Sequence, residues 1–483
     1  MCRSAISNDH RPPTAPTVNE PDYSVEVLIH VESTHVRSAS RLHRVSGMVK
    51  ILVGNDFDEV LRTRPASGWW NQRVVWFAED GDIVILPTQP EESFLRYVTA
   101  MIGTQRSSLQ ILVPRAQEGG FDTLSGSCLV QEGFLGRIRS ALAGRSVTGI
   151  LPLWPSASIA RLAQALGVPE ALAGRGFAEQ GGGALLNSKT AFRAIAAGVG
   201  VGLPRGRVCA DRDGTVDAIL DLVGAGHIAM LKKDYMSGGA GNEIVSPVAG
   251  VSPVGAKNVI VAADEAAVAR YVEDRWDWLT DGGRHHFVVE RYHPGSVACF
   301  AEFLITDDDI EFGAHGEMLS EPVTTKQIIP PPEFSGQVLD DLTDQGRRLC
   351  EPLQAMGYRG RLSADAIVTP DGELLFTEYN GRITGSTHVY SIFGEKIVGG
   401  DFMKDRVLFE GFWPKGWSVP SFDEAVRRLT DAGLAYDRDT RTGVIISSAF
   451  DRRDDTLLHC VVAESLSAAQ KVEERLAQLF AAR

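Results

Sequence analysis

Leu362-Ser-Ala-Asp-Ala-Ile-Val-Thr-Pro-Asp-Gly-Glu-Leu-Leu-Phe-Thr-Glu-Tyr-Asn-Gly-Arg-Ile-Thr-Gly-Ser386 decides the reading of this chain. Leu362–Val368 and Leu374–Tyr379 read as strands joined around Thr369–Gly372, because Asp-Gly between apolar runs is a strong hairpin signal. A two-residue loop at Asp371-Gly372 places Asp365 opposite Glu378; a longer loop or a bulge offsets them by a residue or so. Opposed side chains lie roughly 5 Å apart, and like charges there repel. A cation between them removes the conflict. Alternation puts Asn380 on the face of Glu378, so two carboxylates and an amide oxygen form a hard donor set suited to magnesium shared with phosphate oxygens. Alone, the pair reads more readily as the solvated face of an edge hairpin. Arg382 in the following Gly-rich loop reverses that preference, because a fixed guanidinium beside metals can hold a carboxylate or an acyl phosphate.

Upstream, Asn187-Ser-Lys189 opens a helix over Thr190–Ala197, capped by Asn187 or Ser188. Lys189 adds charge to an end that already favours anions, although a lone helix lysine is commonly just solvated. The stretch His227–Asp234 holds an apolar strand that ends in a lysine, Lys232, and is followed by Ser237-Gly-Gly-Ala-Gly-Asn242. Such a loop can cover a triphosphate with backbone amides, and it can equally be a plain hairpin loop. Ile244 stands where a dinucleotide fingerprint needs its third glycine, so that motif fails. His286–Tyr292 is a buried-type strand; Glu290 either meets an adenine edge with the backbone after it or merely ends the strand. His285 and His286 have no metal spacing and read as ordinary surface.

In this order the pieces resemble the ATP-grasp superfamily, across roughly Asn187 to Gly400, and Tyr358-Arg-Gly360 fits the same pattern. The resemblance implies that Lys189 and Lys232 touch phosphates, that Gly238, Gly239 and Gly241 belong to a flexible lid, and that Glu290, Arg291 and Tyr292 line the adenine pocket. It implies magnesium on Asp365, Glu378 and Asn380, with Arg382 at the reacting carboxylate. One departure concerns the ribose: Ser296-Val-Ala298 occupies the stretch where relatives carry an acid, leaving Glu302 as the substitute. The whole chain resembles the branch with a pre-ATP-grasp N-terminal domain and a small C-terminal domain, the pheganomycin-type peptide ligases. That implies an ATP- and Mg2+-dependent carboxylate–amine ligase working through an acylphosphate. Its donor would be a small modified amino acid, its acceptor a peptide amine, and its setting antibiotic or other secondary metabolism. A kinase of the same fold and a non-catalytic nucleotide-binding protein are the alternatives.

The expected fold is α/β: a flexible tail over 1–22, a pre-ATP-grasp domain over 23–185, a two-lobed ATP-grasp domain over 186–400 and a small α+β domain over 401–483. In the first of these domains Val49–Val53, Val74–Phe77, Ile83–Leu86, Leu109–Val113 and Thr148–Leu153 read as strands, and Glu91–Met101 and Leu135–Leu142 as helices. That alternation favours a parallel sheet covered on both faces. Leu52–Asp56 is a strand-end loop with one glycine, a poor nucleotide site. The tail reads as a helix over Ser421–Ala432, strands over Val444–Ser448 and Leu457–Ala463, and a helix over Ser465–Phe480. It carries no chemistry of its own and suits packing or a homodimer contact. Glu317–Phe334 is a connecting loop and a weaker candidate for an acceptor wall, and Lys326 in it is a weak phosphate candidate.

Six cysteines scattered among 483 residues, without a CxxC pair, point to a reducing, cytoplasmic setting. No apolar run is long enough to span a membrane. A net charge of −14 disfavours nucleic acid as a partner, so any bound nucleotide must be held by local lysines and amides.

Overall fold

A computed structural model describes residues 47–54, 68–114, 124–332, 334–451 and 456–481. The expected flexible tail over 1–22, the first residues of the domain beginning at 23, and Asn55 and Asp56 of the strand-end loop lie outside them.

Strands β1 (Met48–Val53), β2 (Ile83–Ile85), β3 (Gln110–Leu112) and β4 (Ser146–Pro152) form a parallel sheet in the order β3-β2-β1-β4. Its two faces follow from the period of two. Val49, Ile51 and Val53 pack with Phe134, Ile138 and Ile159 of the covering helices Glu132–Leu142 and Ala157–Leu166. Leu52 and Val84 point the other way, toward Trp76, Phe94 and Val98. Val74–Phe77, read as a strand, is instead part of a 3-10 helix over Gln72–Phe77. Every residue from Gln72 to Trp76 is buried there. A short apolar run with no exposed face carries no period that separates helix from strand. Trp76 is anchored by its Nε1–H donating to the Ser447 carbonyl at 2.9 Å and by edge contacts with Phe94, Tyr97 and Phe393.

A second sheet contains β5 (Gly206–Cys209), β6 (Ile228–Lys233), β7 (Asn242–Ser246), β8 (Asn258–Val261) and β9 (Phe287–Tyr292), in the order β5-β9-β6-β7-β8. Ala229, Leu231, Phe287 and Val289 bury one face against helices Arg212–Val223 and Glu265–Thr280. The alternate residues Met230, Lys232, Glu290 and Tyr292 turn to the opposite face and line a cleft.

The third sheet forms the other wall. It holds β10 (Val297–Ile305), β11 (Ile310–Ser320), β12 (Thr324–Ile329), β13 (Gly360–Val368), β14 (Leu374–Asn380), β15 (Val407–Phe412), β16 (Gly443–Ile446) and β17 (Leu458–Ala463), ordered β14-β13-β10-β11-β12-β15-β17-β16. Helix Gly336–Ala355 packs Leu342, Leu349 and Leu353 against Phe303 and Ala364. The segment read as a connecting loop, Glu317–Phe334, is mostly strand: Glu317 pairs with Ile328 and Leu319 with Lys326. Through β12 and β15 the sheet runs without a break into the C-terminal strands. Phe422, Ile445, Leu476 and Phe480 of the tail share one core with Leu52, Trp76 and Phe94. Serine caps start both tail helices, with Ser421 accepting from the Glu424 amide and Ser465 from the Ala468 amide. No helix among the described residues is long and apolar enough to cross a membrane.

Candidate active site

Between the second and third sheets lies a cleft of about 1000 Å³. Its floor is the β13–β14 hairpin. Val368 pairs with Leu374, so the turn is a five-residue loop, Thr369–Glu373, in place of the two-residue loop expected. The Thr369 hydroxyl accepts from the Glu373 amide at 3.0 Å, and Gly372 takes a φ of +85°, which makes the wider turn inexpensive. The pairing then shifts by one residue between Asp365 and Ala366, and the bulge at Thr377 restores the expected opposition: Asp365 faces Glu378. The bulge also serves the site directly. Its Thr377 carbonyl accepts from Lys232 Nζ at 2.8 Å.

Asp365 is buried and Glu378 half-buried, and their surroundings act on them in opposite directions. Burial and the neighbouring Glu378 push Asp365 well above the usual carboxylate range, despite the Ser363 hydroxyl donating to it at 2.9 Å. Burial also pushes Glu378 up, but Lys189 and Lys232 outweigh it and hold that group below its ordinary value. Lys189 makes an ion pair with Glu378 and donates to the Met236 carbonyl. Ser188 caps the helix Lys189–Gly198 and donates to Asp234, whose carboxylate also accepts from the Thr190 amide at 2.9 Å. Asp234 follows β6, so the two lysines are set by one local network.

The Glu290 carboxylate, expected at an adenine edge or at a plain strand end, is engaged by two cations in this structure. One oxygen accepts from Lys232 Nζ at 3.2 Å and the other from Arg193 Nη1 at 3.0 Å. The reason is charge: the buried Lys232 and Arg193 need a counter-ion, and Glu290 lies on the strand between them. Asn380 differs from expectation as well. Its amide nitrogen donates to Asp365 at 3.1 Å, while its oxygen accepts from Arg382 Nη2 at 2.8 Å. Arg382 Nε donates to Asn187 Oδ1 at 2.9 Å, and the guanidinium lies 4.7 Å from the Trp154 ring centroid. Asn187, read as a helix cap, therefore positions Arg382. Glu302, the substitute for a ribose acid, is buried and accepts from the hydroxyls of Thr384 and Ser386 in the loop after Arg382. It braces that loop, and burial raises its pKa.

Lys189, Lys232, Gly238, Gly239, Glu290, Arg291, Tyr292, Asp365, Glu378, Asn380 and Arg382 all border the cleft. Gly241 stands behind it, where an added Cβ would come within 2.4 Å of the Met236 Cβ. Gly239 needs to be glycine, with φ at +79° and the Gly255 carbonyl 2.7 Å from a built Cβ. The hairpin Met318–Gln327, Lys326 included, forms a side wall. His285 stacks edge-on against Tyr235, and His286 is exposed.

The sequence reading missed the residues that the flanking segments send in. Trp70, Arg73 and Trp154 come from the N-terminal part, and Glu410, Phe412 and Asp451 from the C-terminal part. The one available signal was a charged residue inside the apolar run around Val74.

As to metal, no group of three or more His, Cys, Asp or Glu among the described residues is arranged to hold an ion. The Asp365–Glu378 pair nonetheless fits a hard divalent cation shared with a ligand's oxygens. Its members are opposed across the hairpin and largely shielded from solvent, and their mutual repulsion is the conflict a cation settles.

The chain matches the family described as the pre-ATP-grasp domain over residues 71–168, and that described as the PGM1 C-terminal domain over 424–476. It is 24% identical over 226 residues to the [butirosin acyl-carrier protein]–L-glutamate ligase of Niallia circulans, covering 46% of this chain and 49% of that one. The chain thus spans about half the length of this curated relative. The biotin carboxylase domain of Hydrogenobacter thermophilus 2-oxoglutarate carboxylase, solved with MgADP, ADP and bicarbonate, superposes with a TM-score of 0.55 at 13% identity, over 89% of this chain and 90% of that one. The L-amino acid ligase of Bacillus licheniformis does so with a TM-score of 0.51 at 12% identity, over 90% and 97%. These likenesses show that the chain has the fold of those solved structures. The stretch that matches the pre-ATP-grasp domain precedes the two sheets that wall the cleft.

Proposed function

We propose that the protein is an ATP-dependent ligase that joins a carboxylic acid to an amine, releasing ADP and phosphate. The observation that carries this is Arg382, locked by Asn187 and Asn380 beside the Asp365–Glu378 pair and within the cleft that holds Lys189 and Lys232. A kinase has little use for such a cation.

In this reading the second and third sheets clamp ATP, with the base beside Glu290–Tyr292 and the phosphates beneath Ser237–Ala240. Lys189 and Lys232 exchange Glu378 and Glu290 for phosphate oxygens. Asp365 and Glu378 would hold Mg2+, joined by the Asn380 oxygen once its amide turns over; the ion would neutralise charge on the transferring phosphoryl group. Arg382 orients the acid, whose carboxylate oxygen attacks the γ-phosphorus while the bond to ADP breaks. The amine then attacks the acyl carbon of the acylphosphate, phosphate leaves, and the amine's proton passes to solvent. Arg382 stabilises negative charge on the acyl oxygen, and the glycine loop keeps water away from the acylphosphate. The donor is a small amino acid and the acceptor a peptide amine, in secondary metabolism.

Incubation with ATP, candidate acids and hydroxylamine tests the reaction class. Hydroxamate together with ADP supports ligation. A stable phosphorylated product without hydroxamate would refute it.

A further inference from the structure

One corner of the cleft has polar groups that the ligation scheme leaves unused. Arg73 is 1% exposed and borders the cleft; its guanidinium lies 4.3 Å from the Trp70 ring centroid, and of its nitrogens only Nη2 has a hydrogen-bond partner, the Ile383 carbonyl at 3.0 Å. Its Nε and Nη1 have no hydrogen-bond partner. Trp154, 4% exposed on the same wall, has an indole N–H without an acceptor. The ring is flanked by two guanidiniums, with Arg382 at 4.7 Å and Arg73 at 6.0 Å from its centroid. Glu410, on β15, is 2% exposed and borders the cleft too. One of its oxygens accepts from Gln327; the other has no hydrogen bond and lies 3.5 Å from His388 Nε2.

Buried polar groups are normally satisfied, so several orphans at one place call for a ligand that completes them. Here the count is specific. Three donor nitrogens without hydrogen-bond partners, beside a carboxylate oxygen that also has none, complement a carboxylate and an ammonium. The charges agree, since Arg73 and Arg382 face each other's field while Glu410 offsets it only in part. Desolvation and Arg382 pull the Arg73 pKa down, which an added anion would reverse.

We propose that this corner binds the α-carboxylate and α-ammonium of an amino-dicarboxylic acid, the α-carboxylate on Arg73 and Trp154 and the ammonium on Glu410, leaving its second carboxylate for Arg382. This rests on the ligase reading and names the class of acid it uses. Two arginines then serve two carboxylates. Specificity comes from residues outside the β13–β14 hairpin and its loop: Arg73 and Trp154 precede both cleft-walling sheets in the chain, and Glu410 lies on β15, in the C-terminal part of the third sheet.

The test is calorimetric binding of L-glutamate and L-aspartate to the full chain with ATP, each compared with its α-carboxamide and its N-acetyl derivative. At least one free diacid should bind tenfold or more tightly than both of its derivatives. Arg73→Lys should abolish that preference and leave ATP affinity unchanged, because a single ammonium cannot reproduce the fork. Equal binding of diacid and α-carboxamide would overturn the assignment, as would a folded Arg73→Lys protein that keeps the preference. Should that variant fail to fold, the wild-type comparison decides alone. Hydroxamate formation reports the ligase reading separately: diacid preference without hydroxamate removes the ligase and keeps the subsite, and hydroxamate without diacid preference does the reverse.

Discussion

Glu290→Gln offers a direct measure of how the cleft manages its charge. Glu290 is the counter-ion of two buried cations, Lys232 at 3.2 Å and Arg193 at 3.0 Å. At an effective dielectric of about 20, each contact is worth roughly 5 kcal/mol of attraction. Desolvation of three buried charges cancels most of it. Removing one member of such a set still costs about 3–5 kcal/mol, because the remaining cations stay buried. Glutamine keeps an oxygen for one hydrogen bond, so a loss of about 3 kcal/mol is expected. Equilibrium urea unfolding of the two proteins, followed by tryptophan fluorescence, measures it. A loss below about 1 kcal/mol together with a large drop in ATP affinity would refute the reasoning and return Glu290 to the adenine edge.

Arg382→Ala should leave ATP binding within a few-fold of wild type and lower ligation by on the order of a hundredfold, as for a lost transition-state donor; unchanged turnover of ADP and amide would remove its assigned role. Gly239→Ala forces a side chain onto a φ of +79° and against the Gly255 carbonyl, so it should destabilise by about 1–3 kcal/mol and raise the KM for ATP; thermal melts and ATP titration check both. Burial holds His315 down to about 4, against contributions from Leu339 and Asp340 that raise it. A folded pKa below the unfolded value means that the unfolded chain binds the extra proton. Stability from this residue is therefore complete above about 6.5 and declines as pH falls toward 4. The unfolding free energy should drop by about 1–2 kcal/mol between pH 7 and 5 on this account, and His315→Gln should flatten that slope.

What the sequence revealed followed from local rules. The hairpin at Asp365 and Glu378, the helix opened by Ser188 and the strand carrying Lys232 near its end all depend on patterns a few residues wide. The opposition of the two acids was anticipated from a two-residue turn, and it arises instead from a wider loop and a bulge that cancel. Those two errors left no trace in the periodicity. The Val74–Phe77 run was misassigned because a fully buried segment shows no polar face. Arg73, Trp154 and Glu410 stayed hidden for another reason: only the tertiary fold brings residues from both flanks to one corner, and no spacing in the chain encodes that meeting. Likewise, nothing near Glu290 signals that Arg193 and Lys232 will claim its carboxylate.

The unbroken passage from β12 through β15 to β17 limits how the chain can be dissected. A fragment ending near residue 400 keeps the opposed acids and Arg382, yet it strips β12 of its neighbour. Ile328 and Ile329 would then sit on a bare strand edge with unpaired amides and carbonyls, a template for another chain. It would also lose Glu410. The last eighty residues are thus the selvedge of the third sheet, and trimming them unravels the cloth beside the cleft.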